Sequence, residues 1–143
     1  SAASDVYKRQ EVIALCREFG EYLGYCFQIK DDIFDYFKEA NIGKPTGNDI
    51  REGKVTLPLL YALRQGREEE AARYLDMILR KDFAAENVDS LIEFAKANGG
   101  IEYAEARMKE YHDKAVDVLL RLPESGARTS LIQLADYIMT RSK

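Results

Sequence analysis

Apolar positions in the first third of the chain recur at the period of an α-helix. Between residues 11 and 37 most of them lie three or four positions apart: Val12, Leu15, Phe19, Tyr22, Leu23, Cys26, Ile29, Ile33 and Phe37. Gly20 and Gly24 interrupt this pattern, and each costs about 1 kcal/mol relative to alanine inside a helix. We therefore predict one long helix whose two glycines let another backbone approach closely.

The rest of the chain repeats the helical period and shows no alternation typical of strands. After an irregular stretch at residues 40–53, helices are predicted at residues 56–64, 68–80, 86–97, 101–122 and 127–142. Pro58 suits the first turn of the first of these helices, and Gly66 lies where it should end. Residues 1–10 lack a clear period and are interpreted as a truncated or artefactual N-terminal segment. The predicted fold class is all-α.

Composition and charge mainly exclude several classes of protein. The 143 residues suit one domain, and the formal net charge of -4 argues against non-specific nucleic-acid binding. No apolar run approaches the roughly 20 residues of a membrane span, and no signal peptide is visible, so we expect a cytoplasmic protein. Cys16 and Cys26 lie ten residues apart, a rise of about 15 Å on a helix that forbids a disulfide.

Residues 27–35, F-Q-I-K-D-D-I-F-D, carry the chemistry of this sequence. On one helix, Gln28, Asp31, Asp32 and Asp35 would share a face. Carboxylates at this spacing repel each other by a few tenths of a kcal/mol per pair, so a bound cation should offset that cost. Magnesium favours one or two carboxylates together with phosphate oxygens and waters. The segment therefore predicts a metal site.

The irregular stretch that follows has the composition of a phosphate-binding loop. It contains Gly43, Gly47 and Gly53 together with Lys44, and Lys54 comes directly after it. Lysine contacts phosphate as a compact point charge, and long loops in helical proteins are often functional. An isolated D-D-x-x-D is commonly a solvated acidic face, but the carboxylates and the lysines together favour a diphosphate site.

Other catalytic signatures do not occur in the sequence. There is no G-x-x-x-x-G-K-[ST] and no G-x-G-x-x-G after a strand. One histidine and two cysteines do not suit a zinc site. We interpret His112 as a surface or core residue rather than a catalytic base.

Residues 19–60 resemble the second aspartate-rich region of the trans-isoprenyl (polyprenyl) diphosphate synthases. The resemblance rests on F-G-E-Y-L-G-Y-C-F-Q-I-K-D-D-I-F-D-Y-F and on G-K-P-T-G-N-D-I-R-E-G-K-V-T-L-P-L-L. The closing R-L-P-E-S-G-A-R-T-S-L-I-Q-L-A-D-Y-I-M-T-R is similar to the family's last turn and helix. The resemblance implies the isoprenoid synthase helical bundle, with residues 11–143 as the C-terminal half of the synthase domain.

The resemblance also implies a magnesium-dependent reaction. Family members condense an allylic prenyl diphosphate with isopentenyl diphosphate to make a linear polyprenyl diphosphate. By this likeness Asp31 binds Mg²⁺ directly, and Asp32 and Asp35 complete the motif as ligands or through metal-bound water.

The same likeness assigns the remaining site residues. Lys44 and Lys54 would grip the allylic diphosphate, and Gln28 would face the reacting carbons near the developing cation. Asp49 would orient a lysine or cap the local backbone.

A complete synthase of this family carries an earlier aspartate-rich motif followed by arginines, whereas this sequence contains no second D-D-x-x-D. We therefore predict that the chain does not catalyse chain elongation by itself. The apolar stripe around Gly20 and Gly24 should drive self-association, and a homodimer is expected.

Three other interpretations stay open. The chain could be a non-catalytic subunit or diphosphate-binding module of the same fold, although its full set of aspartates and lysines speaks against this. A terpene cyclase would share the fold, and a helical interaction module would use the acidic face for docking.

Overall fold

The computed structural model describes residues 1–37 and 46–142, and these form seven α-helices and no strand. The helices are α1 (Ala2–Phe34), α2 (Asn48–Arg51), α3 (Leu57–Gln65), α4 (Glu68–Leu79), α5 (Ala85–Ala97), α6 (Gly100–Leu120) and α7 (Gly126–Thr140). The all-α prediction is confirmed, and α3 to α7 begin and end within two residues of the predicted positions. The four-residue α2 was not predicted, because it lies within the glycine-rich stretch.

Helix α1 begins nine residues before its predicted start and ends three residues before its predicted end. Residues 1–10 are all exposed, so no core imposes an apolar period there, and at the start of the helix Oγ of Ser1 accepts the amide of Ser4 at 3.3 Å. At the other end, the amides of Tyr36 and Phe37 donate to the carbonyls of Ile33 and Phe34, three residues back, at 3.0 and 3.1 Å. These shorter-range bonds tighten the chain into a turn. The predicted domain boundary at residue 10 stays a prediction.

The chain divides into two compact units. The first comprises Ser1–Lys30 and Arg107–Lys143, and the second comprises Asp31–Ala106. In the first unit, α1, α6 and α7 share one apolar core. Its buried members are Leu15 and Phe19 from α1, Ala115, Val118 and Leu119 from α6, and Ala135 from α7.

In the second unit, α3 packs against α4 and α5. The side chains buried there come mainly from α3 and α5: Pro58, Leu59, Ala62, Val88, Leu91, Phe94 and Ala95. Pro58 lies in the first turn of α3, as predicted. Within the part of the chain that is described, no helix is both long and apolar enough to cross a membrane.

No described residue of this chain makes the close backbone approach predicted at Gly20 and Gly24. Both glycines are exposed, and a Cβ atom on either would meet nothing within 4 Å. A close approach does occur at Gly100, where a Cβ would lie 2.3 Å from the carbonyl oxygen of Pro58. No described part of this chain fills the space beside Gly20 and Gly24, and close packing there stays a prediction.

Candidate functional site

The predicted acidic face lies at the C-terminal end of α1. Asp31 and Asp32 are in the last turn of the helix and are partly buried, while Asp35 follows one residue after the helix ends. Gln28 lies in the portion of α1 that belongs to the first unit, and its side chain is exposed. Helix α1 thus contains three of the four predicted residues, and the amide of Asp35 still donates to the carbonyl of Asp31, four residues back, at 3.4 Å.

The carboxylate of Asp35 is hydrogen-bonded to the start of α2. Its Oδ1 accepts the amide N–H of Asn48 at 3.0 Å, and its Oδ2 accepts the amide N–H of Asp49 at 3.1 Å. The backbone carbonyl of Asp35 accepts the amide of Gly47 at 2.9 Å. The first amides of a helix lack partners within it, so Asp35 stabilises α2 and returns the chain to the end of α1.

Gly47 allows the chain to come back to the end of α1 because of its backbone conformation and because it has no side chain. Its φ of 78° lies in the left-handed region that favours glycine. A Cβ at this position would lie 2.5 Å from Cγ1 of Val88 and 3.2 Å from Cδ1 of Ile92, both on α5. The segment therefore rests directly on the core of the second unit, which fixes where α2 begins.

Lys54, one of the two predicted diphosphate-binding lysines, is held beside α2. Its amide donates to the carbonyl of Asp49 at 2.8 Å. Its Nζ forms an ion pair with Oε2 of Glu52 at 3.0 Å, and the lysine side chain is 63% exposed. The hydrogen bond to Glu52 and the charges of Glu52 and Asp49 raise the pKa of Lys54 above its ordinary value. The ammonium group is therefore protonated and accessible to an anion.

A buried tyrosine beneath the acidic end of α1 was missed by the sequence analysis. Tyr36 is 1% exposed, and its hydroxyl lies 2.9 Å from Oγ1 of Thr56. Burial raises the pKa of Tyr36 to about 12, and the nearby carboxylates of Asp35 and Asp32 contribute in the same direction. Thr56 is the N-cap residue of α3, and its side chain bonds to the tyrosine and not to the helix amides. The only sequence signal was an aromatic residue directly after the acidic motif.

Lys44, the other predicted diphosphate-binding lysine, lies outside the described residues. Asp49 is in the first turn of α2 and is partly buried. Its carbonyl accepts the amide of Lys54, and its assigned function at the site stays a prediction.

The carboxylates at the end of α1 can supply part of a magnesium coordination shell. Among residues 1–37 and 46–142, no three His, Cys, Asp or Glu side chains are grouped so that they could hold a metal ion. Magnesium, however, is commonly bound by one or two carboxylates, with phosphate oxygens and waters in the other positions. Asp31 and Asp32 are hard oxygen donors of this kind, so the residues fit a metal that is completed by a substrate diphosphate.

His112 and the two cysteines belong to the first unit, and none of them was predicted to act in catalysis. The two ring nitrogens of His112 contact Oδ1 of Asp113 at 3.0 Å and Oδ1 of Asp136 at 2.7 Å, so this side chain ties α6 to α7. Cys26 is buried and donates to the carbonyl of Met108 at 3.3 Å. Burial raises the pKa of Cys26 to about 11, which disfavours a thiolate nucleophile.

Comparison with known proteins identifies the class to which this helical architecture and acidic site belong. The family model described as polyprenyl synthetase matches residues 2–95, more than half of the chain. The chain therefore belongs to the polyprenyl synthetase family, and the resemblance found in its sequence is confirmed.

Individual relatives agree with this assignment. The octaprenyl diphosphate synthase of Haemophilus influenzae is 39% identical over 127 residues, which cover 88% of this chain and 38% of that protein. The structure of geranylgeranyl pyrophosphate synthase from Bacteroides thetaiotaomicron superposes with a TM-score of 0.82 at 44% identity and covers 91% of this chain and 42% of its own.

A third relative was solved with ligands. The geranylgeranyl pyrophosphate synthase of Corynebacterium glutamicum, complexed with calcium and isoprenyl diphosphate, superposes with a TM-score of 0.76 at 35% identity. The match covers 90% of this chain and 40% of that one. The chain thus spans about two fifths of the length of the relatives it matches.

Proposed function

We propose that this chain forms the diphosphate-binding part of a polyprenyl diphosphate synthase, which transfers an allylic prenyl group to isopentenyl diphosphate. One observation carries the proposal. The second unit holds the carboxylates of Asp31 and Asp32 at the end of α1 and also the segment with Lys54, which Asp35 hydrogen-bonds to that same end. Family membership, and a relative solved with calcium and isoprenyl diphosphate, support it.

Asp31 and Asp32 are the proposed magnesium-binding residues, with Asp31 as the direct ligand, and Asp35 completes the motif. Two adjacent carboxylates concentrate negative charge at the end of α1 and so attract a divalent cation. When bound, Mg²⁺ would neutralise the charge that accumulates on the departing diphosphate.

The basic residues that follow the motif in the chain are proposed to bind the same diphosphate. Lys54 is accessible and already pairs with one carboxylate, that of Glu52. A diphosphate carries more charge than this carboxylate and would compete for the ammonium group. We assign Lys54 and Lys44 to grip the diphosphate, because fixed cations stabilise a leaving group more as its charge grows. Gln28 would face the reacting carbons.

The activity of the isolated polypeptide is a separate part of the proposal. The first aspartate-rich motif of the family is not present in this sequence, so we infer that the 143-residue chain binds diphosphate without elongating a prenyl chain. We also propose a homo-oligomer, since α1 exposes several large apolar side chains, namely Val6, Tyr7, Val12 and Ile13.

Magnesium-dependent binding of inorganic pyrophosphate tests the site directly. Calorimetric titration of the purified chain should show binding that requires Mg²⁺ and is lost in Asp31→Ala. Asp89→Ala is the matched control, because Asp89 is an exposed carboxylate on α5 of the same unit, and it should bind like the wild type. Equal binding by the two variants would exclude the proposed metal ligand.

A second assay tests the inactivity of the chain alone. Incubation with Mg²⁺, an allylic prenyl diphosphate and isopentenyl diphosphate should give no elongated product. Any prenyl transfer above the level of the Asp31→Ala variant would show that one active site is complete within these residues.

A further inference from the structure

The geometry around Asp35 points to a function for this residue that differs from metal binding. Three consecutive amides, those of Gly47, Asn48 and Asp49, all donate to Asp35, one to its carbonyl and one to each carboxylate oxygen. The residues that donate lie 12 to 14 positions later in the chain. One residue, through its backbone carbonyl and its carboxylate, therefore connects the end of α1 to the segment at residues 47–54.

The hydrogen bonds of Asp35 also orient its carboxylate. A carboxylate at the N-terminus of a helix is stabilised by the unpaired amides and by the helix dipole. Gly47, the residue at the cap position of α2, has no side chain to offer, and no side-chain cap bond is made from that position. Asp35 supplies this cap from a distant part of the chain, so its two oxygens are directed at the start of α2.

The segment that Asp35 holds carries two of the predicted substrate-binding residues. Asp49 donates its amide to Asp35, and its carbonyl in turn accepts the amide of Lys54. The chain of hydrogen bonds thus runs from Asp35 through Asp49 to the backbone of Lys54. A displacement of α2 would move the backbone that carries the lysine.

We propose that Asp35 is a positioning residue, which fixes the segment at residues 47–54 for diphosphate binding and does not itself bind Mg²⁺. The effect of Asp35 on diphosphate binding rests on the proposed function. The hydrogen bonds between Asp35 and residues 47–49 are independent of it. The three aspartates of the motif then have two functions. Asp31 and Asp32 bind the cation, and Asp35 positions the backbone of Lys54.

Amide hydrogen exchange tests the positioning without any ligand. In Asp35→Ala, the amides of Asn48 and Asp49 should exchange about tenfold faster or more, because hydrogen bonds to a charged acceptor are lost. Asp35→Asn keeps one acceptor oxygen and should give an intermediate rate. Asp31→Asn removes a neighbouring charge and should leave both amides protected. Unchanged exchange in Asp35→Ala would overturn the proposal.

Pyrophosphate binding at two magnesium concentrations separates positioning from metal ligation. Loss of a supporting partner commonly costs about 10-fold to 100-fold in affinity at such sites, and Asp35→Ala should fall in that range, with Asp35→Asn partly restored. A tenfold higher Mg²⁺ concentration should recover binding in Asp31→Asn by mass action but not in Asp35→Ala. Recovery to the same degree in both would make Asp35 a metal ligand and defeat the inference.

The two experiments fail in different ways. If the wild-type chain binds no pyrophosphate, the proposed function is lost, and the exchange comparison still decides whether Asp35 positions the segment. Circular dichroism of each variant shows whether the helices are intact, and Asp35→Asn provides a milder substitution if Asp35→Ala does not fold.

Discussion

The core of the first unit and the candidate site of the second obtain their structure by different means. In the first, α1, α6 and α7 bury apolar side chains at helical spacing, such as Leu15, Phe19 and Leu119. In the second, the candidate site depends on individual groups, namely the carboxylate of Asp35 and the left-handed Gly47. All positive-φ glycines among the described residues, Gly47, Gly53 and Gly99, belong to this second unit. A periodic core tolerates surface variation, whereas a site built on single hydrogen bonds and turns does not.

The largest effect is expected in the core of the first unit. Leu119 is fully buried, and Leu119→Ala should lower the free energy of unfolding by about 2–5 kcal/mol through lost burial and a residual cavity. The adjacent Leu120 is 52% exposed, and Leu120→Ala should change the free energy of unfolding by less than about 0.5 kcal/mol. Urea denaturation of both variants checks the contrast, and similar losses would mean that the neighbouring leucine is also buried.

The next largest effect concerns Gly47 in the second unit. Gly47→Ala combines a left-handed backbone with a Cβ 2.5 Å from Val88, and should cost about 2–4 kcal/mol from strain and overpacking. Gly53 is the matched control, because its φ of 83° is similar but nothing lies within 4 Å of a Cβ there. Gly53→Ala should therefore cost only the strain, roughly 1 kcal/mol. Thermal or urea unfolding that shows equal losses would remove the packing part of the explanation.

A smaller, pH-dependent effect is expected at Tyr36. Tyr36→Phe should cost about 1 kcal/mol at pH 7, because the hydrogen bond to Thr56 is lost. The pKa of Tyr36 is about 12 in the folded state, against 10.0 ordinarily, so the folded protein holds this proton more tightly than the unfolded chain does. The stabilisation is complete below pH 10 and is lost as the pH rises towards 12, by up to about 1.4 kcal/mol for each pH unit.

The difference between wild type and Tyr36→Phe should therefore shrink above pH 10 and then change sign. Urea unfolding across pH 8 to 12 measures it, and Tyr137→Phe, at a tyrosine that is 63% exposed, provides the control and should show no such trend. A constant difference for Tyr36→Phe would contradict the burial of its hydroxyl.

The last prediction concerns the reactivity of the two cysteines, which should differ clearly. Both are free; Cys16 is exposed and Cys26 is buried. At pH 8 a thiol reagent should modify Cys16 quickly and Cys26 only after unfolding, since burial also raises the pKa of Cys26 to about 11. Mass spectrometry of the labelled peptides identifies the site. Equal labelling of both thiols in the native protein would show that the first unit opens readily.

Sequence reasoning predicted the helices well because their apolar period reflects burial. Leu15, Phe19, Cys26, Ile29 and Ile33 were all part of the predicted stripe, and all are buried. The same reasoning failed at the ends of α1, where side chains are exposed or the chain turns. It also placed Val12 and Phe37 in that stripe, although these two are 42% and 46% exposed.

The candidate site was predicted by residue type and not by geometry. The acidic motif and Lys54 were found because carboxylates and lysines are the groups that bind metal and phosphate. Their assigned functions stay predictions. The contacts that organise them were missed: the pairing of Lys54 with Glu52 and that of Tyr36 with Thr56 join positions whose spacing has no characteristic period.

The sequence by itself determined the helical class, the family resemblance and the residues able to bind a diphosphate, because periodicity and residue chemistry are properties of the chain. Only the tertiary structure decided that Asp35, just after the end of α1, accepts three amides from residues 47–49. It also decided that Gly20 and Gly24 are open while Gly47 is closely packed. These outcomes depend on which distant atoms meet when the core forms, and no local spacing encodes that meeting.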